Sequence, residues 1–187
     1  HVMARRQRQM CIRDSSLGSF LADMLNSMEG RGPDSAGFAI YSKEIKNYYK
    51  YSICLNRLSE NDFKLRAKKY FDNHKIHKHS DHVVLETTEE PEKVLTILEE
   101  HFAEFSIVGY GKSINIFKQT GNPKDVVKNF QLSSFSGSHG IGHTRMATES
   151  LVTTEGSHPY STAEDECLVH NGSLSNHNNI RRILIKE

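Results

Sequence analysis

A helix cannot run through Gly30-Arg31-Gly32-Pro33, and the residues on either side of that break constrain what this chain can fold into. Upstream, Leu17, Phe20, Leu21, Met24, Leu25 and Met28 recur at helical spacing behind Ser15 and Ser16, which suit N-caps. An amphipathic helix therefore ends at the break. Downstream, RGPDSAG turns the chain into FAIY at 38–41, whose alternation reads as a strand.

NYYKYSICL at 47–55 predicts a strand, and the lysine-rich stretch at 59–70 a polar helix. HVVLETT predicts a strand, and Pro91 opens a helix with Val94, Leu95, Leu98, His101 and Phe102 on one face. FSIVGYG and SINIFKQ read as a hairpin around Gly111. Strands and helices alternate in mixed order, with neither regular βαβ spacing nor a GxGxxG sequence, so an α+β layered domain is expected rather than a dinucleotide-binding fold.

His74, His77, His79 and His82 raise the possibility of a metal site. No cysteine or convincing carboxylate joins them, and Lys75 and Lys78 are interleaved with them, so this stretch is expected to be a solvated connection.

With 187 residues, 36% of them hydrophobic and 25% charged, the chain is long enough to bury one core. A formal charge of +1 gives no electrostatic case for nucleic acid or an anionic membrane as partner. The cysteines at 11, 54 and 167 are far apart and form no CxxC, which argues against a disulfide framework or zinc cluster and for a reducing cytoplasm. No apolar run approaches the roughly 20 residues that span a bilayer. Residues 1–14, HVMARRQRQMCIRD, have Arg5, Arg6, Arg8 and Arg13 but no apolar periodicity. They are expected to be a leader outside the core, and resemble translated adapter DNA; a basic arm for RNA is the alternative. Residues 15–187 form the expected domain.

The chemistry-bearing residues crowd into the last third, in GIGHTRMATES (140–150), EGSHPYS (155–161) and CLVHNGSLSNH (167–177). In the first, Ile141 and its small neighbours suit a buried strand that delivers Arg145 and Thr148 to a cleft. A guanidinium there can grip a carboxylate by two parallel charge-assisted hydrogen bonds, with a hydroxyl completing the grip. In the third, Cys167, Leu168 and Val169 suit an apolar strand that breaks at Asn171 and Gly172. A side-chain amide and an unshielded backbone N–H are the two kinds of donor from which oxyanion holes are made. Taken singly, Asn-Gly is most simply a turn, and His143, His158 and His170 are most simply packed histidines.

RGPDSAG, GHTRMAT, SHP and LVHNG, in this order, resemble the class II, or N-terminal nucleophile, glutamine amidotransferase domain, and most nearly the small amidotransferase subunit of split, archaeal-type glutamate synthases. The resemblance covers residues 16–187. It implies a four-layer α/β/β/α sandwich of two antiparallel sheets. It also implies that Arg145 and Thr148 hold the α-carboxylate of glutamine, that Asn171 and Gly172 form the oxyanion hole, and that Arg31 lies near the nucleophile, with Gly32 and Gly37 serving the turn. Glutamine is the implied substrate, a flavin-dependent glutamate synthase subunit the implied recipient of ammonia, and no cofactor is implied in this domain. The family's opening Cys-Gly-Ile-Val-Gly strand has no match, since Cys11 is followed by Ile12, Arg13 and Asp14, and the family's acidic ligand for the α-amino group lies beyond Glu187. The chain as given is therefore expected to lack glutaminase activity; a non-catalytic, partner-binding module of the same fold is the alternative.

Overall fold

SAGFAIY forms β1 (Ser35–Tyr41), longer than the predicted strand and buried at every residue except Tyr41. In the computed structural model, which describes residues 17–147, 151–172 and 176–185, this strand is the middle of a three-stranded sheet. It pairs antiparallel with β6 (Ile114–Thr120) on one side and β7 (His139–Arg145) on the other. A second antiparallel sheet has the order β3-β4-β2-β5, from β2 (Tyr49–Cys54), β3 (His74–His79), β4 (His82–Thr87) and β5 (Ser106–Gly111).

Helices cover the outer face of each sheet. On the first, α1 (Leu17–Ser27) and α4 (Pro123–Asn129) bring Leu17, Leu21, Leu25 and Val126 onto Ala36, Phe38 and Ile40. On the second, α2 (Glu60–Tyr70) and α3 (Pro91–His101) bring Phe63, Ala67, Val94 and Leu98 onto Tyr51, Ile53, Val83 and Leu85. Between the sheets lie Ala39, Cys54, Val108, Ile114 and Ile116. These are the four α/β/β/α layers that the motifs implied, in the manner of an N-terminal nucleophile hydrolase. Local signals start the helices as expected: Ser59 Oγ accepts from Asp62 N at 3.0 Å ahead of α2, and Pro91 occupies the first turn of α3. A small hairpin, β8 (Tyr160–Ala163) with β9 (Glu166–Leu168), and α5 (His177–Leu184) complete the described elements.

Three expectations are corrected. β5 and β6 are strands, but not a hairpin: β5 pairs with β2, β6 with β1, and the chain passes from one sheet to the other between them. Period-two alternation reveals that a segment is a strand, not which strand it pairs with. The crossing is pinned by Asp165, whose carboxylate accepts from the backbone N–H groups of Lys112, Ser113 and Ile114 and from Ser113 Oγ at 2.8–3.0 Å. The histidine stretch, too, is not a solvated connection. It is the β3–β4 hairpin, turning at Ser80 with φ 55°, and His82 is fully buried. Alternating polar residues suit β3 because it is an edge strand, where lysines also discourage further pairing. Finally, β7 is half-buried rather than buried, and in β9 Leu168 is 52% exposed, so neither is a core strand.

Phe117 of β6 ties the layers together. Its ring lies 5.5 Å from Phe38, 5.3 Å from Phe130, 5.4 Å from Phe135 and 5.0 Å from His79. Phe117→Ala should therefore cost about 3–5 kcal/mol of stability, as expected for a truncated, fully buried aromatic. Urea denaturation checks this, and a loss below about 1 kcal/mol would show that the layers do not depend on this cluster.

Candidate functional site

The break at Gly30-Arg31-Gly32-Pro33 closes onto the end of β7. Glu29–Arg31 form a short 3₁₀ turn, Pro33 bridges to Arg145, and Asp34 N donates to the Arg145 carbonyl at 3.1 Å. The Asp34 carboxylate accepts from Ala147 N at 2.7 Å. RGPDSAG and GHTRMAT, more than 100 positions apart in sequence, are thus one edge of the molecule. Arg31 is exposed there, and Arg145 is half-buried.

Arg145 is oriented by a loop. Its Nη1 donates to the Gly156 carbonyl at 3.0 Å, and Tyr160 Oη donates to the same carbonyl at 2.9 Å. The neighbouring carbonyls of Glu155 and Ser157 accept from Lys118 Nζ at 3.1 and 2.9 Å. Three successive carbonyls therefore face two cations. Lys118 is 5% exposed, and burial pushes its amine down to about 8. Gly37 lets this loop lie on the sheet: a side chain there would collide with the His158 carbonyl and with Lys118 Cβ. This corrects the expectation that Gly37 serves the turn, since it sits inside β1.

The histidines of the three motifs gather beside Arg145. The rings of His143 and His158 are 4.3 Å apart, His158 is 4.5 Å from Tyr160, and the His143 imidazole hydrogen-bonds to the backbone of His170. That last contact brings the segment leading to Asn171 and Gly172 to β7. Asn171 is exposed, as is Gly172, whose φ of 157° suits glycine. Burial, helped by neighbouring His143 and Arg145, holds His158 down at about 4, and burial also lowers His143. Both rings are kept neutral near pH 7, which limits repulsion of the guanidinium. Thr148 and Cys11 lie outside the described residues, as do residues 1–14.

Of the groups that shape this edge, sequence reasoning missed Lys118 and Tyr160. Lys118 left one trace. It shares strand parity with Ile114 and Ile116, the inward face of β6, where a lysine needs buried acceptors.

No protein-family model matches the chain. It is 47% identical, over 178 residues and 93% of its length, to the glutamine amidotransferase-like protein GlxB of Rhizobium meliloti. The chain is similar to glutamine amidotransferases. A second relative, a putative glutamine amidotransferase of Methanothermobacter thermautotrophicus, is 27% identical over 90% of the chain. Over 40% of the chain there is also 36% identity to the glutamine–fructose-6-phosphate aminotransferase of Methanococcus maripaludis, covering 13% of that protein. The chain spans 59% and 60% of the lengths of the first two relatives. No helix among the described residues is long and apolar enough to cross a membrane.

Two predictions arise from this geometry. An unfolded histidine titrates near ~6.5 and folded His158 near 4, so between these values the unfolded chain holds more protons. Its contribution to stability is complete above pH ~6.5 and is lost as pH falls toward 4. His158→Gln should flatten that decline in urea midpoints; a decline as steep as in the parent would exclude His158 as a source. The second concerns Lys118→Met. The lost charge-assisted bonds, about 1.5–3 kcal/mol each, and the relieved burial of a charge, worth several kcal/mol, roughly offset. Global stability should change by less than about 1.5 kcal/mol while amide exchange in residues 153–160 accelerates, and an unaltered exchange rate would show that Lys118 does not tether the loop.

Proposed function

We propose that this chain is the glutamine-handling part of a class II glutamine amidotransferase, releasing ammonia from glutamine for a synthase partner. The observation that carries the reading is the guanidinium of Arg145, oriented at the end of β7 by the Gly156 carbonyl and flanked by the Arg31 turn. The relationship to GlxB over 93% of the chain supports it independently.

In this reading Arg145 and Thr148 grip the α-carboxylate of glutamine by charge-assisted hydrogen bonds. The nucleophile is an N-terminal cysteine, whose own α-amine, with an ordinary pKa near ~7.7–8.0, accepts the thiol proton. The thiolate attacks the side-chain amide carbon. The Asn171 side-chain amide and the Gly172 N–H donate to the resulting oxyanion, each such donor being worth about 10²–10³ in rate. Arg31 lies close to the nucleophile. The carbon–nitrogen bond breaks, ammonia leaves with the transferred proton, and water hydrolyses the thioester to glutamate. No cofactor takes part within this domain. The proposed recipient is a flavin-dependent glutamate synthase subunit, on the strength of the motif resemblance; the names of the relatives do not specify it.

The test is a split between binding and chemistry in a version of the protein that begins with a free cysteine. Arg145→Ala should raise KM for glutamine by about 10-fold or more with kcat little changed, whereas Asn171→Ala should lower kcat by about 10² with KM little changed. An unchanged KM removes Arg145 from the pocket, and an unchanged kcat reduces Asn171 to a turn residue.

A further inference from the structure

The end of β2 and the β3–β4 turn bring together three groups that the sequence keeps apart. Cys54 closes β2, His82 opens β4 directly across from it in the antiparallel register, and Asp81 precedes His82 in the turn. Leu55 N donates to the Asp81 carbonyl at 2.8 Å, which holds the turn against the end of β2. One donor atom from each of the three side chains lies within 4.8 Å of the other two.

We propose that Cys54, Asp81 and His82 form a binding site for a divalent cation of the zinc class, with a fourth coordination position open to solvent. This assignment does not depend on the glutaminase reading. Four observations converge on it. His82 is 0% exposed, its Nδ1 lies 2.8 Å from Asp81 Oδ1, and its Nε2 has no partner. The pairing turns Nδ1 toward the carboxylate, and a cation bound between them takes the place of the proton the two share. The carboxylate is oriented from behind: Gln119 Nε2 donates to Asp81 Oδ2 at 2.9 Å, and Asn129 Nδ2 to Gln119 Oε1 at 2.9 Å. Such outer hydrogen bonds are what fix metal-ligating side chains. The imidazole is also held between aromatic rings, 5.2 Å from Phe130 and 5.9 Å from Phe117. Finally, Cys54 and Asp81 line a cleft of about 770 Å³, which supplies both an entry path and the open position.

The ligand set selects the metal. A thiolate with an imidazole and a carboxylate suits zinc, whereas magnesium and calcium take oxygen ligands only. Tetrahedral bonds of about 2.0–2.3 Å need donors roughly 3.3–3.8 Å apart, so His82 Nδ1 and Asp81 Oδ1, now 2.8 Å apart, separate slightly on binding. On coordination the Cys54 thiol gives its proton to solvent. The same cluster is poorly set as a nucleophile, because burial pushes the thiol up to about 11. The lysines interleaved with the histidines do not oppose a cation here. Lys78 Nζ pairs with Glu60 at 3.4 Å, and Lys75 lies over the Tyr48 ring. Lys118, the cation acting on Cys54, is committed to two carbonyls.

The experiment uses the purified chain, stripped with a chelator and titrated with Co²⁺. About one equivalent should produce the absorption bands of a tetrahedral site together with a sulfur-to-cobalt charge-transfer band, and Zn²⁺ should abolish both by displacement. Cys54→Ser should lose the charge-transfer band, and Asp81→Asn should weaken Zn²⁺ binding by about 10-fold or more. Folding of each variant is checked by circular dichroism. A readout on the unsubstituted chain guards against misfolded variants: Zn²⁺ should slow alkylation of Cys54, mapped by mass spectrometry, and leave Cys167 unaffected. Absence of the bands, alkylation of Cys54 at the same rate with and without Zn²⁺, or full binding by both variants would overturn the site.

Discussion

Burial of β1 on both faces is the constraint from which the rest of the structure follows. Phe38 and Ile40 point to the helices and Ala39 to the second sheet, so no face of this strand meets water. A strand in that position must hydrogen-bond on both edges and carry a helix layer on one side and a sheet on the other. The edges are taken by β6 and β7, and the layers follow. Because β7 must pair in register with β1, Arg145 falls opposite Ser35 at the point where the Gly-Pro turn enters the strand. The candidate site is thus placed by the core rather than by its own interactions.

What those interactions add is orientation. Arg145, Lys118 and Tyr160 grip the carbonyls of residues 155–157 from two sides, and the absence of a side chain at Gly37 lets that loop lie close to the sheet. An arginine held this way has little freedom left to lose when an anion arrives, which is how preorganisation adds affinity. Neutral His143 and His158 beside it fit the same purpose, since protonated rings would repel the guanidinium.

The polar groups between the sheets show the same economy. Lys118, His82 and Ser52 all face a layer that would otherwise be apolar, and each meets a partner from a different element: a loop carbonyl, the Asp81 carboxylate, the Ile116 N–H. Such pairs cost desolvation and repay it only when geometry is good.

The sequence by itself determined the elements whose cause is local. The glycines and proline at 30–33 stop the first helix, Ser59 and Pro91 start two others, and short runs rich in β-branched and aromatic residues mark β1, β2, β4, β5 and β6. It also nominated Arg31, Arg145, Asn171 and Gly172 through motifs, and the structure draws the first two onto one edge. Only the tertiary structure decided which strands pair. Nothing near Gly111 says that β5 and β6 part company, because their separation is enforced by Asp165 from more than 50 residues away. Nothing near His82 reveals that a cysteine 28 positions earlier lies across from it, or that a polar histidine run is the edge strand of a hairpin whose other strand is buried. Helix caps and turns depend on a few neighbouring residues, whereas register and the meeting of distant polar groups depend on the sum of burial over the whole core, which no single segment encodes.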